Sequence, residues 1–395
     1  MSRVVIVDGL RTPFGRMGGK LKTWRPTELL GMTIKNILDR NGIENRGEVA
    51  VYAGSALHDV HTHNFARFAA LYGGLPYEST ATFIEMQCGS GITCINHAAQ
   101  ALLNGDEEIV VAGGAEVYSQ LFCKFSMSVE PYKLIPPSAV PQQLAPKLED
   151  CISMIEVSDR MAEKWEISRE ECDAFALRSQ QRAYAALTSG KLDGDMFSVS
   201  TPQKKGDPIV CDKDEQPRPE STLEGLAKLK PVRPGGVTTA GNSSGRNDGA
   251  SAVLMMTEEK AAELGLKPIA YWVGGAVCGV DPKYMGIGPA FSNVKLLKRF
   301  GLQLNDVDVY ECNEAFAAQN LGVIKEMENQ MGGTINQDNW NPNGGAISFG
   351  HPNGASGARV ATFAMRELAR REGKYAMFGS CCGGGLGVST LIERA

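Results

Sequence analysis

The sequence predicts an α/β fold built from two similar halves, with a long insertion inside the first half. Three observations carry this prediction: short apolar runs alternate with helical stretches, two motifs recur at one spacing, and a segment of different composition lies between them. Strands that are buried on both faces read as continuous apolar runs, so the alternation indicates sheets covered by helices.

The runs that predict buried strands are rich in β-branched and aromatic residues, and each is short enough for a single strand. They are Val4–Val7, Val49–Tyr52, Ile109–Ala112, Val307–Tyr310 and Tyr375–Phe378. Helices are predicted at Ala98–Leu103 and Val360–Arg370, each just before one of these strands. The order of helix then strand therefore recurs in both parts of the chain.

An internal repeat supports the division into two halves. Ser90 begins a predicted helix that leads to a strand ending at Gly113, and Ser356 begins one that leads to a strand ending at Gly379. A single offset of 266 residues aligns both pairs. Chance similarity between two ordinary strand–helix units is the alternative explanation. Duplication predicts that the two halves share one topology.

The stretch between the halves differs from both in composition. It contains the polar run Lys204–Glu220 and a helical segment at Ser168–Leu187. Insertions of this length inside a compact fold are commonly functional, so we expect it to cover a site. The predicted boundaries are 1–117 plus 247–268 for the first half, 118–246 for the insertion, and 269–395 for the second half.

The overall composition is that of an ordinary globular protein. Hydrophobic residues make up 43% and charged residues 22% of the 395 residues, and the net charge is −5. This balance argues against a nucleic-acid binder held by a basic face. No apolar run is long enough to span a membrane, and neither end carries a recognisable targeting signal, so a cytoplasmic protein is expected.

The ten cysteines are expected to be free thiols, because the chain shows no secretion signal. None are paired as C-x-x-C, and the spacing of His58, His61 and His63 fits no standard metal site. No metal is therefore expected, and the cysteines are weighed as nucleophiles or core residues.

Two residues in glycine-rich segments carry groups suited to nucleophilic chemistry. Cys88 lies in a turn before a predicted helix, whose positive end favours a thiolate and predicts a pKa below the ordinary value of about 8.5. The alternative is a buried cysteine beside a phosphate-binding turn. His351 lies in a second glycine-rich loop and can accept a thiol proton or donate to an oxyanion. A structural role is the ordinary interpretation of a lone histidine.

Polar or reactive residues also follow two predicted strands. Cys381 and Cys382 come after Tyr375–Phe378 and precede three glycines, which would let backbone N–H groups form an oxyanion hole. A tight hairpin turn is the alternative. Asn313 follows Val307–Tyr310, where a polar side chain can reach a site, or it caps the next helix.

Taken together, these segments resemble the thiolase family from end to end. The matching blocks stand in the family's order: Cys88-Gly-Ser-Gly, Gly241-Asn-Ser-Ser-Gly, Gly286-x-Gly-Pro, Asn313-Glu-Ala-Phe, Gly350-His-Pro and Cys381-x-Gly-Gly-Gly. The resemblance implies two βαβαβαββ halves that form a layered α/β/α/β/α core, with a loop domain inserted in the first half. This agrees with the repeat and the insertion described above.

The resemblance also implies a role for each catalytic group. Cys88 is the nucleophile that accepts the acyl group, and His351 activates it and donates to the thioester oxygen. Cys381 is the acid/base that moves a proton on the acetyl α-carbon or on departing CoA. Asn313 holds a water in an oxyanion hole with His351. The backbone N–H groups of Cys88 and Gly383 form a second hole.

The activity implied by the resemblance is acyl transfer on coenzyme A. A 3-ketoacyl-CoA and CoA would be interconverted with an acyl-CoA and acetyl-CoA by reversible Claisen condensation and thiolysis. The mechanism would be ping-pong through an acyl group on Cys88. Coenzyme A is then a substrate, no metal or redox cofactor is needed, and a homodimer or homotetramer is expected. Neither nucleic acid nor a membrane is an expected partner.

Substrate-binding residues are assigned by the same resemblance. Arg218, at the end of Asp214-Glu-Gln-Pro-Arg, would face the nucleotide end of CoA, although a solvated surface charge is the alternative. Ser243 and Ser244 would lie beside the pantetheine arm. The acyl pocket would be lined by Met154, Met285 and Phe316.

Three positions depart from the family's pattern near the acyl and pantetheine pocket. Asn353 replaces the apolar residue usual after Gly-His-Pro, and Arg246 stands where an aliphatic residue is frequent. Ser153 occupies a position that is often histidine in acetoacetyl-specific members. The hypothesis is an acyl group that is longer than acetoacetyl or carries a polar end. Harmless drift at the pocket rim is the alternative.

Two other functions are compatible with parts of the pattern. A decarboxylating ketoacyl synthase would be expected to have a second histidine or an asparagine in place of Cys381. A catalytically inactive scaffold subunit of an acyl-transfer complex would be expected to have lost catalytic residues, whereas all four are present. The blocks at Asn313 and Cys381 favour the thiolase interpretation.

Overall fold

Strands and helices alternate along both halves of the chain in the computed structural model, which describes residues 3–126, 132–133, 136–140 and 143–395. The first half contains β1 (Val4–Arg11), β2 (Gly15–Arg16), α1 (Pro26–Arg40), β3 (Val49–Gly54), α2 (Phe65–Tyr72), β4 (Ala81–Ile84), α3 (Ser90–Asn104) and β5 (Ile109–Val117). Then come β6 (Phe125–Ser126), β7 (Ser138–Ala139), α4 (Met154–Lys164), α5 (Arg169–Thr188), β8 (Val199–Thr201), β9 (Ile209–Cys211), α6 (Leu223–Ala227), β10 (Asn247–Thr257) and α7 (Glu258–Glu263). The second half contains β11 (Ala270–Gly279), α8 (Gly288–Phe300), β12 (Val309–Cys312), α9 (Ala317–Met331), α10 (Ala346–Phe349), α11 (Asn353–Arg370), β13 (Tyr375–Cys382) and β14 (Leu386–Arg394).

The two halves share one strand topology. In the first half, β3 is parallel to β4 and β5, while β10 is antiparallel to both β5 and β1. In the second half, β12 is parallel to β13, while β14 is antiparallel to both β13 and β11. The halves join into one sheet where β1 pairs with β11 at Val5–Tyr271 and Ile6–Ala270. The predicted duplication of an α/β unit is confirmed.

Alternating side chains on each strand face two different helix layers. Val49 and Val51 of β3 pack in the apolar cluster of α1 and α2, whereas Ala50 packs in the cluster of α3 and α11. Strand β13 does the same, because Phe378 joins the α3 and α11 cluster and Met377 joins the cluster of α8 and α9. The helices α3 and α11 therefore form a middle layer, which confirms the predicted layered core.

The second half departs from the predicted βαβαβαββ order at its third strand. In the described range 143–395, the counterpart of β4 is reduced to a single parallel bridge between Tyr310 and Trp340. Asn341 follows with φ of +46°, which ends the extended backbone. Its side-chain amide accepts from the Cys312 N–H (2.8 Å) and donates to the Cys312 carbonyl (2.9 Å). The Asn341 side chain thus takes the place of the backbone hydrogen bonds that would extend this strand pairing to Cys312.

The predicted segments coincide with observed elements except at two boundaries. Val307 ends a 3₁₀ turn, so β12 begins two residues later at Val309. The helix predicted from Ser356 begins earlier, at Asn353, with Pro352 as its N-cap residue. Within the described residues, no helix has both the length and the apolarity needed to cross a bilayer.

The middle helices α3 and α11 touch backbone to backbone. A Cβ added at Gly91 would lie 2.8 Å from the Gly354 carbonyl oxygen, and one added at Gly357 would lie 2.3 Å from the Ile92 nitrogen. Only glycine permits so close an approach. The crossing brings the start of α3 beside the start of α11, and these are the two places where Cys88 and His351 lie in sequence.

A buried ion pair ties the inserted segment to the first strand. Asp214 accepts two hydrogen bonds from the Arg11 guanidinium, at 2.6 and 2.9 Å, and the side chains are 0% and 1% exposed. The same carboxylate accepts from the backbone N–H of Phe14 at 2.7 Å. Two parallel N–H···O bonds from one guanidinium fix geometry as well as charge. The insertion is thereby anchored to β1.

Candidate active site

Cys88 lies in a tight 3₁₀ turn, Gln87–Gly89, immediately before α3. Gln87 has φ of +49°, a conformation that side chains rarely adopt without support. Glu85 supplies that support, because its carboxylate accepts both from the backbone N–H and from the side-chain amide of Gln87 at 2.7 Å. The turn leaves the Cys88 side chain partly exposed, as a nucleophile that faces a cavity requires.

His351 lies between α10 and α11 and is almost fully buried, at 6% exposure. Its backbone N–H donates to Asn247 Oδ1 at 3.1 Å, and Gly350 before it has φ of +100° with Asn247 against its Cα. His351 Nδ1 lies 2.6 Å from Ser356 Oγ, which is also 3.1 Å from the Pro352 carbonyl oxygen. A hydroxyl that donates to this carbonyl accepts from Nδ1–H, which leaves Nε2 free to accept a proton.

Asn313 meets His351 across the start of α11. Its Nδ2 lies 3.3 Å from His351 Nε2, and its backbone N–H donates to the Gly379 carbonyl at 2.9 Å. Arg359 donates to Asn313 Oδ1 at 3.4 Å and forms a fully buried ion pair with Glu311. The guanidinium therefore keeps the amide oxygen turned away and the amide N–H groups turned towards the imidazole. Since α9 begins at Ala317 with Phe316 as its N-cap residue, the alternative of a helix cap at Asn313 is wrong.

Cys381 and Cys382 end β13, and the alternation of the strand separates their side chains. Cys381 packs in the same apolar cluster as Met285, whereas Cys382 packs in the cluster of the middle helices. Gly383 begins the turn to β14, and a Cβ added there would lie 3.2 Å from Gln87 Cγ. The turn of Gly383 thus lies against the turn of Cys88. The segment is also a tight hairpin, as the alternative interpretation held.

One cavity of about 470 Å³ connects most of the predicted residues. Among the predicted residues, its walls include Cys88, Met154, Ser243, Ser244, Met285, Phe316 and His351. Ser153, Met154 and Ile155 come from the inserted segment, so that segment contributes directly to the cavity wall. Cys381 is completely buried and does not line the cavity, although its sulfur lies close enough to influence the pKa of Cys88.

Burial sets the protonation of these groups at rest. It is the main cause that raises the pKa of the Cys88 thiol well above its ordinary value, and nearby Cys381 and Glu116 act in the same direction. Burial also raises the pKa of Cys381 to about 12. The pKa of His351 is lowered to about 3, first by burial and then by Arg359. The direction of the Cys88 shift is opposite to the low thiol pKa expected from the sequence, and loss of solvent is its largest cause.

Alkylation should report this protonation state directly. We expect iodoacetamide to label Cys88 in the free enzyme at a rate that rises about tenfold per pH unit between about pH 7 and pH 9, because a raised pKa leaves little thiolate at neutral pH. Mass spectrometry of the Cys88 peptide measures the rate, with the exposed Cys123 as an internal comparison. A plateau already reached near neutral pH would show a preformed thiolate–imidazolium pair and contradict this expectation.

Several predicted residues lie elsewhere or serve another purpose. Arg218 is exposed and outside the lining of the cavity, and its backbone N–H donates to Gln180 Oε1 at 2.8 Å. Its contact with a nucleotide stays a prediction. His58 packs edge-on against Phe83, and His61 packs in the same way against Phe122. These two imidazoles therefore contact separate aromatic rings.

Sequence reasoning missed three residues that shape the site. Tyr118 lines the cavity and donates a hydrogen bond to Asn353 Oδ1 at 3.1 Å. Ser356 fixes His351, and Arg359 fixes Asn313. Their positions in the sequence indicate a place near the site. Tyr118 directly follows β5, and Ser356 and Arg359 lie within the first two turns of the helix after His351.

Comparisons with known proteins agree with this geometry. The chain matches the family model "Thiolase, N-terminal domain" over residues 4–259 and "Thiolase, C-terminal domain" over residues 266–394. It is 41% identical to an acetyl-CoA acetyltransferase of Chromobacterium violaceum, with 99% of each chain covered. It is also 41% identical to the 3-oxoadipyl-CoA/3-oxo-5,6-dehydrosuberyl-CoA thiolase of Escherichia coli, with 100% of each covered.

The fold matches solved structures equally well. The crystal structure of the Bacillus anthracis acetyl-CoA acetyltransferase superimposes with a TM-score of 0.93 at 38% identity, covering 100% of this chain and 99% of that one. Human mitochondrial 3-ketoacyl-CoA thiolase gives a TM-score of 0.91 at 35% identity, with the same coverage. The chain therefore belongs to the thiolase family and is an acyltransferase.

Proposed function

We propose that this enzyme interconverts a 3-ketoacyl-CoA and CoA with an acyl-CoA and acetyl-CoA, through an acyl group carried on Cys88. The observation that carries the proposal is the meeting of Cys88 and His351 on one cavity, with Asn313 against the imidazole and Cys381 close enough to raise the pKa of Cys88. The names of the relatives, which include acetyl-CoA acetyltransferases and 3-ketoacyl-CoA thiolases, support acyl-CoA substrates.

In the degradative direction, the Cys88 sulfur forms a bond to the 3-keto carbon as its proton passes to Nε2 of His351. The bond between carbons 2 and 3 then breaks. Its electron pair stays on carbon 2, which takes the proton of Cys381 and departs as acetyl-CoA. Cys88 is left as a thioester and Cys381 as a thiolate. A raised thiol pKa at Cys381 makes it a proton donor that is still protonated when carbon 2 needs it.

The second half-reaction restores both groups. An incoming CoA thiol gives its proton to the Cys381 thiolate, and its sulfur attacks the acyl carbonyl on Cys88. The bond from the carbonyl carbon to Cys88 breaks, and the Cys88 sulfur recovers its proton from His351. Condensation is the same sequence reversed. Because the pKa of both thiols is raised, both sulfurs are protonated at rest, and the proposed sequence begins and ends with neutral thiols.

Negative charge on the substrate oxygen must be stabilised in both half-reactions. The amide N–H of Asn313 lies 3.3 Å from His351 Nε2, and we assign to these two groups, with a water bound to Asn313, the stabilisation of a thioester oxygen. The backbone N–H groups of Cys88 and Gly383 come from two turns that lie in contact through Gln87. We assign the tetrahedral intermediate to this second pair. Preorganised donors of this kind are worth about a hundredfold to a thousandfold in rate each.

Trapping the acyl-enzyme tests the proposal. Incubation with acetyl-CoA alone, acid quenching and digestion should place one acetyl group on the Cys88 peptide, and initial rates should give parallel double-reciprocal lines. The Cys381→Ala variant should still be acetylated at Cys88, but more slowly because the departing CoA thiolate loses its proton donor, and it should fail in condensation because no group accepts the proton of the acetyl α-carbon. Acetyl found on another residue, or intersecting lines, would contradict a ping-pong path through Cys88.

A further inference from the structure

The cavity that holds Cys88 has a polar patch on an otherwise largely apolar wall. Its apolar side includes Met154, Met285 and Phe316. The patch consists of Tyr118, Arg246 and Asn353, which all line the same cavity. Asn353 is buried, Tyr118 is half-buried and Arg246 is exposed, so the patch extends from the buried wall towards solvent, and an unbranched hydrocarbon chain would leave its donors unused. The patch therefore points to a substrate with a polar group of its own.

Arg246 brings a positive charge to this patch, whereas the nearby Glu116 carboxylate is already held by Ser55 and by three backbone N–H groups. No aspartate or glutamate occurs among the described residues that line the cavity, and the imidazole of His351 is held neutral. The Arg246 guanidinium makes no hydrogen bond or ion pair with the described part of the chain, whereas Arg11 and Arg359 each pair with a carboxylate. Its backbone is nevertheless fixed, because Arg246 O accepts from the Met17 N–H at 3.2 Å.

Asn353 adds neutral donors beside that charge. Its Oδ1 accepts the hydroxyl proton of Tyr118 at 3.1 Å, so the amide N–H groups are turned to the other side. Within the described residues, these N–H groups donate to no acceptor. The patch thus offers a guanidinium and an amide, two kinds of donor that a carboxylate accepts.

The patch lies near the reacting end of the substrate. Asn353 follows His351 by two residues, and Tyr118 is within electrostatic reach of both Cys88 and Arg246. When the carbonyl of an acyl-CoA thioester lies at Cys88, the whole pantetheine arm separates its nucleotide phosphates from Cys88. A group on the acyl chain, rather than a CoA phosphate, is therefore the ligand that the comparison of substrates below tests.

We propose that Arg246, assisted by Asn353, binds a carboxylate at the far end of the acyl chain, so that the preferred substrate is a short 3-ketoacyl-CoA of a dicarboxylic acid. This inference rests on the proposed function and names its substrate class. Arg246 is a specificity residue here and takes no part in the transfer of protons or acyl groups. The guanidinium selects for charge, and the apolar wall accommodates the methylene groups.

The test compares two substrates of equal carbon number, 3-oxoadipyl-CoA and its uncharged analogue 3-oxohexanoyl-CoA. We expect wild-type kcat/KM to favour the carboxylated substrate by at least about tenfold, since hydrogen bonds to a charged group are worth about that much or more. Arg246→Met should lower kcat/KM for 3-oxoadipyl-CoA by about ten- to a hundredfold and change that for 3-oxohexanoyl-CoA by less than about threefold. Arg246→Lys should retain part of the preference.

Two results would overturn the inference. Equal losses of kcat/KM with both substrates would indicate that Arg246 contacts CoA. No loss of kcat/KM with either substrate would indicate that Arg246 is a solvated surface charge. Binding separates this inference from the proposed reaction, because calorimetry with adipyl-CoA and hexanoyl-CoA needs no turnover. The carboxylated ligand should bind at least about tenfold more tightly to wild-type enzyme, with the difference lost in Arg246→Met. Equal binding of the two ligands to wild-type enzyme contradicts the inference, even where thiolysis is observed.

Discussion

Replacing Cys88 by alanine is expected to lower turnover by at least about a thousandfold, with the fold retained. In the proposed reaction the thiol forms the acyl bond in both half-reactions, and Cys381, which serves there as the proton donor, stays protonated at neutral pH because burial raises its pKa to about 12. The measurement is CoA-dependent cleavage of a 3-ketoacyl-CoA, followed by the loss of absorbance of the magnesium enolate. Circular dichroism of the variant checks that the structure is intact.

A matched control comes from a cysteine near the end of strand β11. Cys278 lies in β11, is partly exposed and does not line the cavity, so Cys278→Ala should keep wild-type turnover. Residual activity of Cys88→Ala within about tenfold of wild type would mean that the acyl group is carried elsewhere or passes directly to CoA. Loss of activity in both variants would instead indicate general sensitivity of the fold.

Replacing Asp214 by alanine should lower the free energy of unfolding by about 3–5 kcal/mol. The substitution leaves the Arg11 guanidinium, which is 1% exposed, without the carboxylate that accepts two of its three hydrogen bonds. It also removes the acceptor of the Phe14 N–H. The denaturant concentration at the unfolding midpoint measures the loss.

Two comparisons make this result specific. Asp212→Ala, an exposed change two residues away, should leave the midpoint near that of wild type. The double variant Arg11→Met/Asp214→Leu should recover much of the stability, because an apolar pair of similar volume removes the uncompensated buried charge. An unchanged midpoint for Asp214→Ala would show that the pair contributes little. A double variant as unstable as the single one would show that packing, rather than charge, is responsible.

Much of the fold could be predicted from the sequence because its signals are local or repeated. A buried strand needs only a short apolar run, and all five predicted runs overlap observed strands. The repeat of Ser90 and Ser356 at one spacing identified the equivalent helices α3 and α11. Glycine-rich loops marked Cys88 and His351, because backbone that comes close to a ligand or to another helix needs glycine.

What could not be predicted depends on long-range contacts. The raised pKa of Cys88 follows from burial by segments that are distant in sequence, and no local pattern reports this. The orientation of Asn313 depends on Arg359, whose own charge is balanced by Glu311 two positions before the asparagine. The shortened third strand of the second half follows from the positive φ of Asn341, a backbone conformation that the identity of a single residue seldom predicts.

The glycine contact between α3 and α11 has a consequence for protein synthesis. The nucleophile leaves the ribosome early, but the helix that holds its partner base emerges only near the end of the chain. A truncated or stalled polypeptide therefore contains the Cys88 thiol but lacks His351. The contact between Gly91 and Gly357, which brings the two helices together, cannot form in such a chain. Incomplete chains that lack α11 should therefore be unable to catalyse the proposed acyl transfer.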